Sequence, residues 1–297
     1  MPDEVLELLK SLSNWGRWGD ADEIGTLNFI TPDKVVRAAR LITSGRRLSI
    51  AQDLSTVASR KNRNPILHKM LYRGPHPHGA ADVLTIEPHG FHVTHLDALA
   101  HMYHDGKVYN GRAVEDVAQQ DGLTFGSIHA QRNGITTRGV LLDVAQARGQ
   151  QWLNPDDMVT AADLSAAEEL AGVRVTSGDA LIVRIGMALR ERREGQPEDP
   201  SARVGLGPDC LPWLYEREVA MFAGDCTDKL PYPHPQMRLP LHVIGMVAMG
   251  LVLLDHVAVE ELAEACREEH RNEFFFTVAP LRLPRGTGSA VNPLCIF

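Results

Sequence analysis

The 297-residue sequence contains no run of about 18 apolar residues, the length that a bilayer-spanning helix needs, so no membrane span is expected. Its opening, MPDEVLELLKSL, is acidic and amphipathic, without the basic start, apolar stretch and cleavage site of a secretory signal. A cytoplasmic protein is the expectation. Cysteine is scarce: Cys210, Cys226, Cys266 and Cys295 are scattered without CxxC spacing, which argues for reduced thiols and against a disulfide frame or zinc knuckle. No Lys/Arg stripe interrupts a formal net charge of −8, so nucleic acid and anionic membranes are poor partner classes. A small-molecule substrate is the better expectation. There is no GxSxG elbow, since Gly286-Thr287-Gly288-Ser289 sits in a Pro-rich tail, and no phosphate loop or dinucleotide fingerprint follows a predicted strand. Trp15, Trp18, Trp152 and Trp213 are too dispersed for a stacking platform.

What is present suits a buried α/β core. Hydrophobic residues make up 44% of the chain, enough to bury a large core as one big α/β domain or two small ones, and neither an internal repeat nor a low-complexity tract divides it. Thr31-Pro32 predicts the start of a helix that ends before Ser44-Gly45. Further helices are predicted over 160–171, 241–248 and 259–270. Strands are predicted over 47–50, 83–86, 139–143, 180–184, 219–223, 251–254 and 274–283, the last broken by Pro280. Gly139 to Asp143 is apolar up to its last residue, as a strand buried on both faces should be. Residues 58–82 look like a long binding loop or lid, 192–206 is the most linker-like stretch, and the tail RGTGSAVNPL is expected to be loop.

Histidine is unusually frequent, with 13 in the chain, and His89, His92, His95, His101 and His104 share one short window. In Thr94-His95-Leu96-Asp97-Ala98-Leu99-Ala100-His101, an extended 93–97 would point His95 and Asp97 to the same side. A helical turn after Asp97 would bring His101 back toward them. Nitrogen with carboxylate oxygen suits Zn²⁺ or Mn²⁺ better than Ca²⁺ or Mg²⁺. The intervening Leu96, Ala98, Leu99 and Ala100 are apolar, so the polar groups need partners in a buried setting.

On these residues the sequence resembles the cyclase family of metal-dependent hydrolases, which includes bacterial kynurenine formamidases and isatin hydrolases. The family motif H-x-G-T-H-x-D-x-P-x-H is matched by F-H-V-T-H-L-D-A-L-A-H from Phe91 to His101. DEIGTLNFITP, DGKVYNG, TRGVLLDV, PLHVIGMVAMGLVLLDH and APLRLPRGTGSAVNP resemble flanking segments of its longer members. The resemblance implies a single domain over residues 1–297 with a swivelling β/β/α fold and mixed sheets, a homodimer or homotetramer, and hydrolysis of an amide, lactone or imide-like bond in a cyclic or aryl-linked substrate. By position it implies His95 and Asp97 as metal ligands, His101 as acid/base or second-metal ligand, His242 as a distal site histidine, and Asp255 near a family glutamate. Phe91 stands at the first histidine of the motif, Val93 at its glycine and Leu99 at its proline. The vacant ligand position is expected to fall to His92 through a bulge, in preference to His89, or to water. A lyase or cyclase using the same metal, and a non-catalytic metal or small-ligand binder, are the alternative functions.

Overall fold

The computed structural model describes residues 2–72, 74, 78–195, 199, 202–234 and 236–297. A nine-stranded mixed sheet organises them. Its strands in chain order are β1 (Arg47–Ser49), β2 (His95–Asp97), β3 (Ile135–Asp143), β4 (Ala180–Arg184), β5 (Met221–Gly224), β6 (Val252–Asp255), β7 (Glu273–Val278), β8 (Gly288–Ala290) and β9 (Leu294–Ile296). In space the order is β1-β9-β7-β3-β4-β5-β6-β2-β8. β3 to β6 run parallel, and antiparallel strands extend both sides: β7, β9 and β1 beyond β3, β2 and β8 beyond β6. This is a large curled mixed sheet of the swivelling β/β/α kind.

The parallel block is apolar on both faces because both are covered. Val140, Leu142, Leu181, Val183, Phe222 and Leu253 pack into one core layer. Leu141, Ile182, Met221, Ala223, Val252 and Leu254 alternate into the other. Each fully buried aliphatic side chain contributes about 1.5–3 kcal/mol relative to exposure, so this block fixes the frame. Helix Ala161–Leu170 packs on the first layer; Thr160 and Asp163 cap it reciprocally. Helix Glu260–Glu268 packs on the second. Thr31 caps helix Pro32–Ala39 through the Lys34 N–H, 3.2 Å away. Among the described residues no helix is long and apolar enough to cross a membrane.

Residues Leu241–Met249 form a π-helix rather than the α-helix that the sequence suggests. Such wide turns concentrate at functional sites. Its C-terminal end is held by the amino-terminal segment: Thr26 N–H donates to the Gly250 carbonyl (2.9 Å), and Trp15 Nε1 to the Val247 carbonyl (2.6 Å). Gly25 and Gly250 both have positive φ and touch backbone to backbone, so neither site has room for a side chain.

Three expectations change. The 58–82 segment is not loop throughout: Leu67–Leu71 pairs with Ala81–Thr85 in a separate antiparallel ribbon, so the predicted 83–86 strand does not enter the main sheet. Residues 73 and 75–77 lie outside the described residues. The tail is not all loop, because Gly288–Ala290 pairs with β2 as the sheet edge. Of the linker-like 192–206, residues 192–194 finish a helix and Val204 and Leu206 are buried, while 196–198, 200 and 201 lie outside the described residues.

Candidate metal centre

Strand parity sets the first part of the site. Leu96 turns into the second core layer with Leu254, so His95 and Asp97 face the other way. Antiparallel pairing places Asp255 of β6 directly opposite His95, on that same face. The π-helix covers this face and brings in His242. His242 Nε2 lies 3.3 Å from Asp255 Oδ2 and 3.7 Å from Asp97 Oδ2, while His95 Nε2 lies 3.5 Å from Asp97 Oδ1. All four residues are buried, and Asp97 is 0% exposed.

Tautomers follow from the outer partners. His95 Nδ1 lies 2.7 Å from the Val93 carbonyl, an acceptor only, so Nδ1 carries the proton and Nε2 turns its lone pair to the cluster. His242 Nδ1 lies 2.5 Å from Asp228 Oδ2, which orients that ring in the same sense. Asp228 also accepts from the Leu241 and His242 N–H groups (2.6 and 3.3 Å), so one carboxylate caps the π-helix and aims its histidine. Burial opposes charge on His242, but Asp255 and Asp228 raise its pKa well above the ordinary value. Burial likewise opposes charge on Asp255, and His242 outweighs it, holding the carboxyl well below its usual range.

In the third quadrant the residue placed beside Asp97 is His89, not the expected His92. The sequence favours His92 because it is closer, through a bulge that offsets its opposite parity; in the structure the chain bends through 89–93 and sets His89 beside Asp97. His89 Nδ1 lies 3.0 Å from Asp97 Oδ1, and its Nε2 3.0 Å from Thr287 Oγ1. Gly288 makes the room, because a Cβ there would stand 2.6 Å from His89 Cε1. His92 is absent from the cluster. It lines the adjoining cleft, its Nε2 buried without a hydrogen-bond partner, and burial with the Lys61 charge lowers its pKa. His101, at the end of the turn Leu99–His101, stacks face to face on His89 with ring centroids 3.8 Å apart. Burial lowers its pKa to about 4 despite the opposing pull of Asp97, so the ring is neutral at pH 7. His104 turns away to Asp105.

Two atom groups here have metal-ligand spacing: His89, His95 and Asp97, and Asp97, His242 and Asp255. Among the described residues neither Asp97 oxygen has a hydrogen-bond partner, nor does Asp255 Oδ1. His89 and Asp97 approach to 3.0 Å without hydrogen-bond alignment, as donor atoms do when both aim at a third point. A buried, unpaired carboxylate is costly by several kcal/mol, and a divalent cation removes that cost. The donors therefore fit such an ion.

Residues 33–228 match the model of the Cyclase family. The chain belongs to that family. A crystal structure described as a novel cyclase shares 28% identity, covering 97% of this chain and 99% of that one, with a TM-score of 0.86. Isatin hydrolase A from Labrenzia aggregata, bound to benzyl benzoate, is 18% identical over 89% of this chain and 97% of its own (TM-score 0.61). A "predicted metal-dependent hydrolase" from Bacillus stearothermophilus is 12% identical over 85% of this chain and 98% of its own (TM-score 0.53). These last two share the fold. Comparison with curated proteins finds no match.

Within this cyclase-family chain, several site residues carry no signal in the motif. Asp228 and Thr287 are single polar residues remote in sequence from the histidine window. His256 directly follows Asp255 with φ 57°, an uncommon conformation for a side chain-bearing residue. Its carbonyl accepts from Thr94 Oγ1 (2.6 Å), and its buried ring lies 6.0 Å from that of His95. Only the positive-φ strain marks it, and that is not legible in sequence.

Proposed function

We propose that the protein is a metal-dependent hydrolase that adds water across an amide, lactone or imide-like bond of a small cyclic or aryl-linked substrate. The observation that carries this reading is Asp97, buried with both oxygens free of hydrogen bonds and ringed by imidazole nitrogens. His95, Asp97, His242 and Asp255 would hold the cation, with His89 in the position that Phe91 leaves vacant. The nitrogen-plus-carboxylate set suits Zn²⁺ or Mn²⁺. When bound, such an ion supplies a positive charge that acidifies water and polarises a carbonyl. Asp97 turns Oδ1 toward His89 and His95 and Oδ2 toward His242, so either oxygen could hold a cation.

The chain's own groups supply the rest. Asp228 and the Val93 carbonyl fix the tautomers of His242 and His95, so no ring has to reorient during turnover. His101 is neutral and buried, so it can take a proton from the attacking water and return it to the leaving group. Its stacking on His89 fixes the plane in which that proton travels.

The test is a screen of purified protein, with bound metal quantified, against lactones, N-formyl aryl amines and cyclic imides. Turnover in one class, abolished by chelation and restored by Zn²⁺ or Mn²⁺, is the expected result. Full metal with no turnover in any class would make the protein a binder. A product lacking the elements of water would make it a lyase.

A further inference from the structure

We propose that the cleft bounded by Lys61, Phe91 and Arg203 is a subsite for an anionic arm of the substrate, a carboxylate carried on or beside an aromatic ring. It rests on the hydrolase reading for what the arm is attached to, not for the existence of the anion site.

The cleft adjoins the cluster on two sides. A cavity of about 300 Å³ is lined by Lys61, Phe91, His92 and His89, the last of these touching Asp97. A smaller hollow shares Lys61 and Phe91 and adds Arg203 and His256, whose ring faces His95. The larger volume lies at the low end for ligand pockets, enough for a compound of one or two rings.

Its walls carry a net positive charge and an aromatic face. Arg203 sets its Cζ 4.4 Å above the Phe91 ring, and its Nε is buried without a hydrogen-bond partner. Among the described residues no carboxylate stands within ion-pair distance of it. A cation–π contact to one face leaves the guanidinium edge at Nε without a partner among the described residues, and such an edge binds a carboxylate in parallel hydrogen bonds. Lys61 stands by, its side chain 11% exposed and ion-paired with Glu191, and Arg60 and Arg63 add to the wall. The described acids lining the two hollows are Glu87, which accepts from Asn64 (2.8 Å), Asp199, and Glu191 beside Lys61. His92 brings a second buried unpartnered nitrogen, at Nε2. Phe91 itself, 39% exposed and held edge-on by His256, cannot ligate a metal but offers a flat apolar surface to a ring. Cation, free donors and aromatic face together select a flat anion over a neutral molecule of the same shape.

Benzoate, benzamide and phenyl phosphate test this by calorimetry on the protein as purified and again after chelation. Benzoate is expected to bind at least about tenfold more tightly than benzamide, with the preference surviving chelation and shrinking as salt rises. Arg203→Met should remove most of the preference and Lys61→Met part of it. Equal binding of the amide and the acid overturns the proposal. So does a preference that vanishes on chelation, which would put the anion on the metal, or one that Arg203→Met leaves intact. Tighter binding of phenyl phosphate would reassign the subsite to phosphates and overturn the carboxylate. If Arg203→Met fails to fold, the wild-type ratio and Lys61→Met decide. No turnover is measured, so failure of the hydrolase screen and failure of this test are separate results.

Discussion

The two candidate ligand groups that share Asp97 are held in opposite ways. Asp255 and His242 come from a buried central strand and from a π-helix whose end, ring and backbone are all fixed by Asp228. His89 comes from a bend and is steadied by one hydroxyl, Thr287, and by stacking on His101. The first side is preorganised by the core. The second borrows its geometry from a loop and the sheet edge. Preorganised ligands set affinity, whereas loop-borne ligands can yield as a substrate enters.

That contrast is open to direct attack. Asp97→Ala removes the ligand common to both sides, so bound metal should fall to background by elemental analysis while circular dichroism remains native. Retention of full metal would dissolve the centre altogether. Next in size is His101→Ala, which lies behind the loop-borne side. It should keep metal yet lower kcat by roughly 10²–10⁴. Loss of all metal would make His101 a structural ligand.

Asp228→Asn probes the preorganised side without touching a ligand. Metal affinity, measured by competition with a chelator, should weaken by about 10–100-fold. An unchanged affinity would mean that Asp228 is only a helix cap. The same side predicts a pH trend. Asp255 and Asp228 overcome burial to raise the pKa of metal-free His242, so an entering cation must displace its proton. Metal should therefore bind more tightly at about pH 8 than at about pH 6. The charged ring stabilises the metal-free fold below its unfolded pKa, and that contribution is lost as pH rises through the raised folded value. Melting curves without metal should show this loss, and a flat profile would contradict it. The smallest effect belongs to the loop: His89→Ala should weaken metal binding less than His242→Ala does, and His92→Ala should leave it unchanged. The reverse order for His89 and His92 would restore the bulged-strand alternative.

Much of the frame is legible in the sequence, for a physical reason. Strands such as Ala180–Arg184 are continuous apolar runs with both faces buried, and local pattern suffices for those. His95 and Asp97 are legible because their spacing matches the strand period and Leu96 between them must face the core. His89 is not, because a straight extrapolation from His95 carries it too far away; the bend at 89–93 reverses that. Asp228 is equally hidden, since its task depends on where the π-helix begins. The ribbon partner Leu67–Leu71 escapes notice because its flanks are rich in Pro, Gly and His.

Gly288 has a consequence for how sequence change is tolerated along the edge strand. It binds nothing, yet a single methyl at its Cα would press on His89 and stand 2.9 Å from the Leu96 carbonyl. In a saturation library scored for activity, position 288 should therefore behave like a ligand, rejecting even alanine, although its backbone is ordinary for any amino acid. A hydrogen atom at one Cα thus keeps open the place that an imidazole occupies in the bend leading into the neighbouring strand.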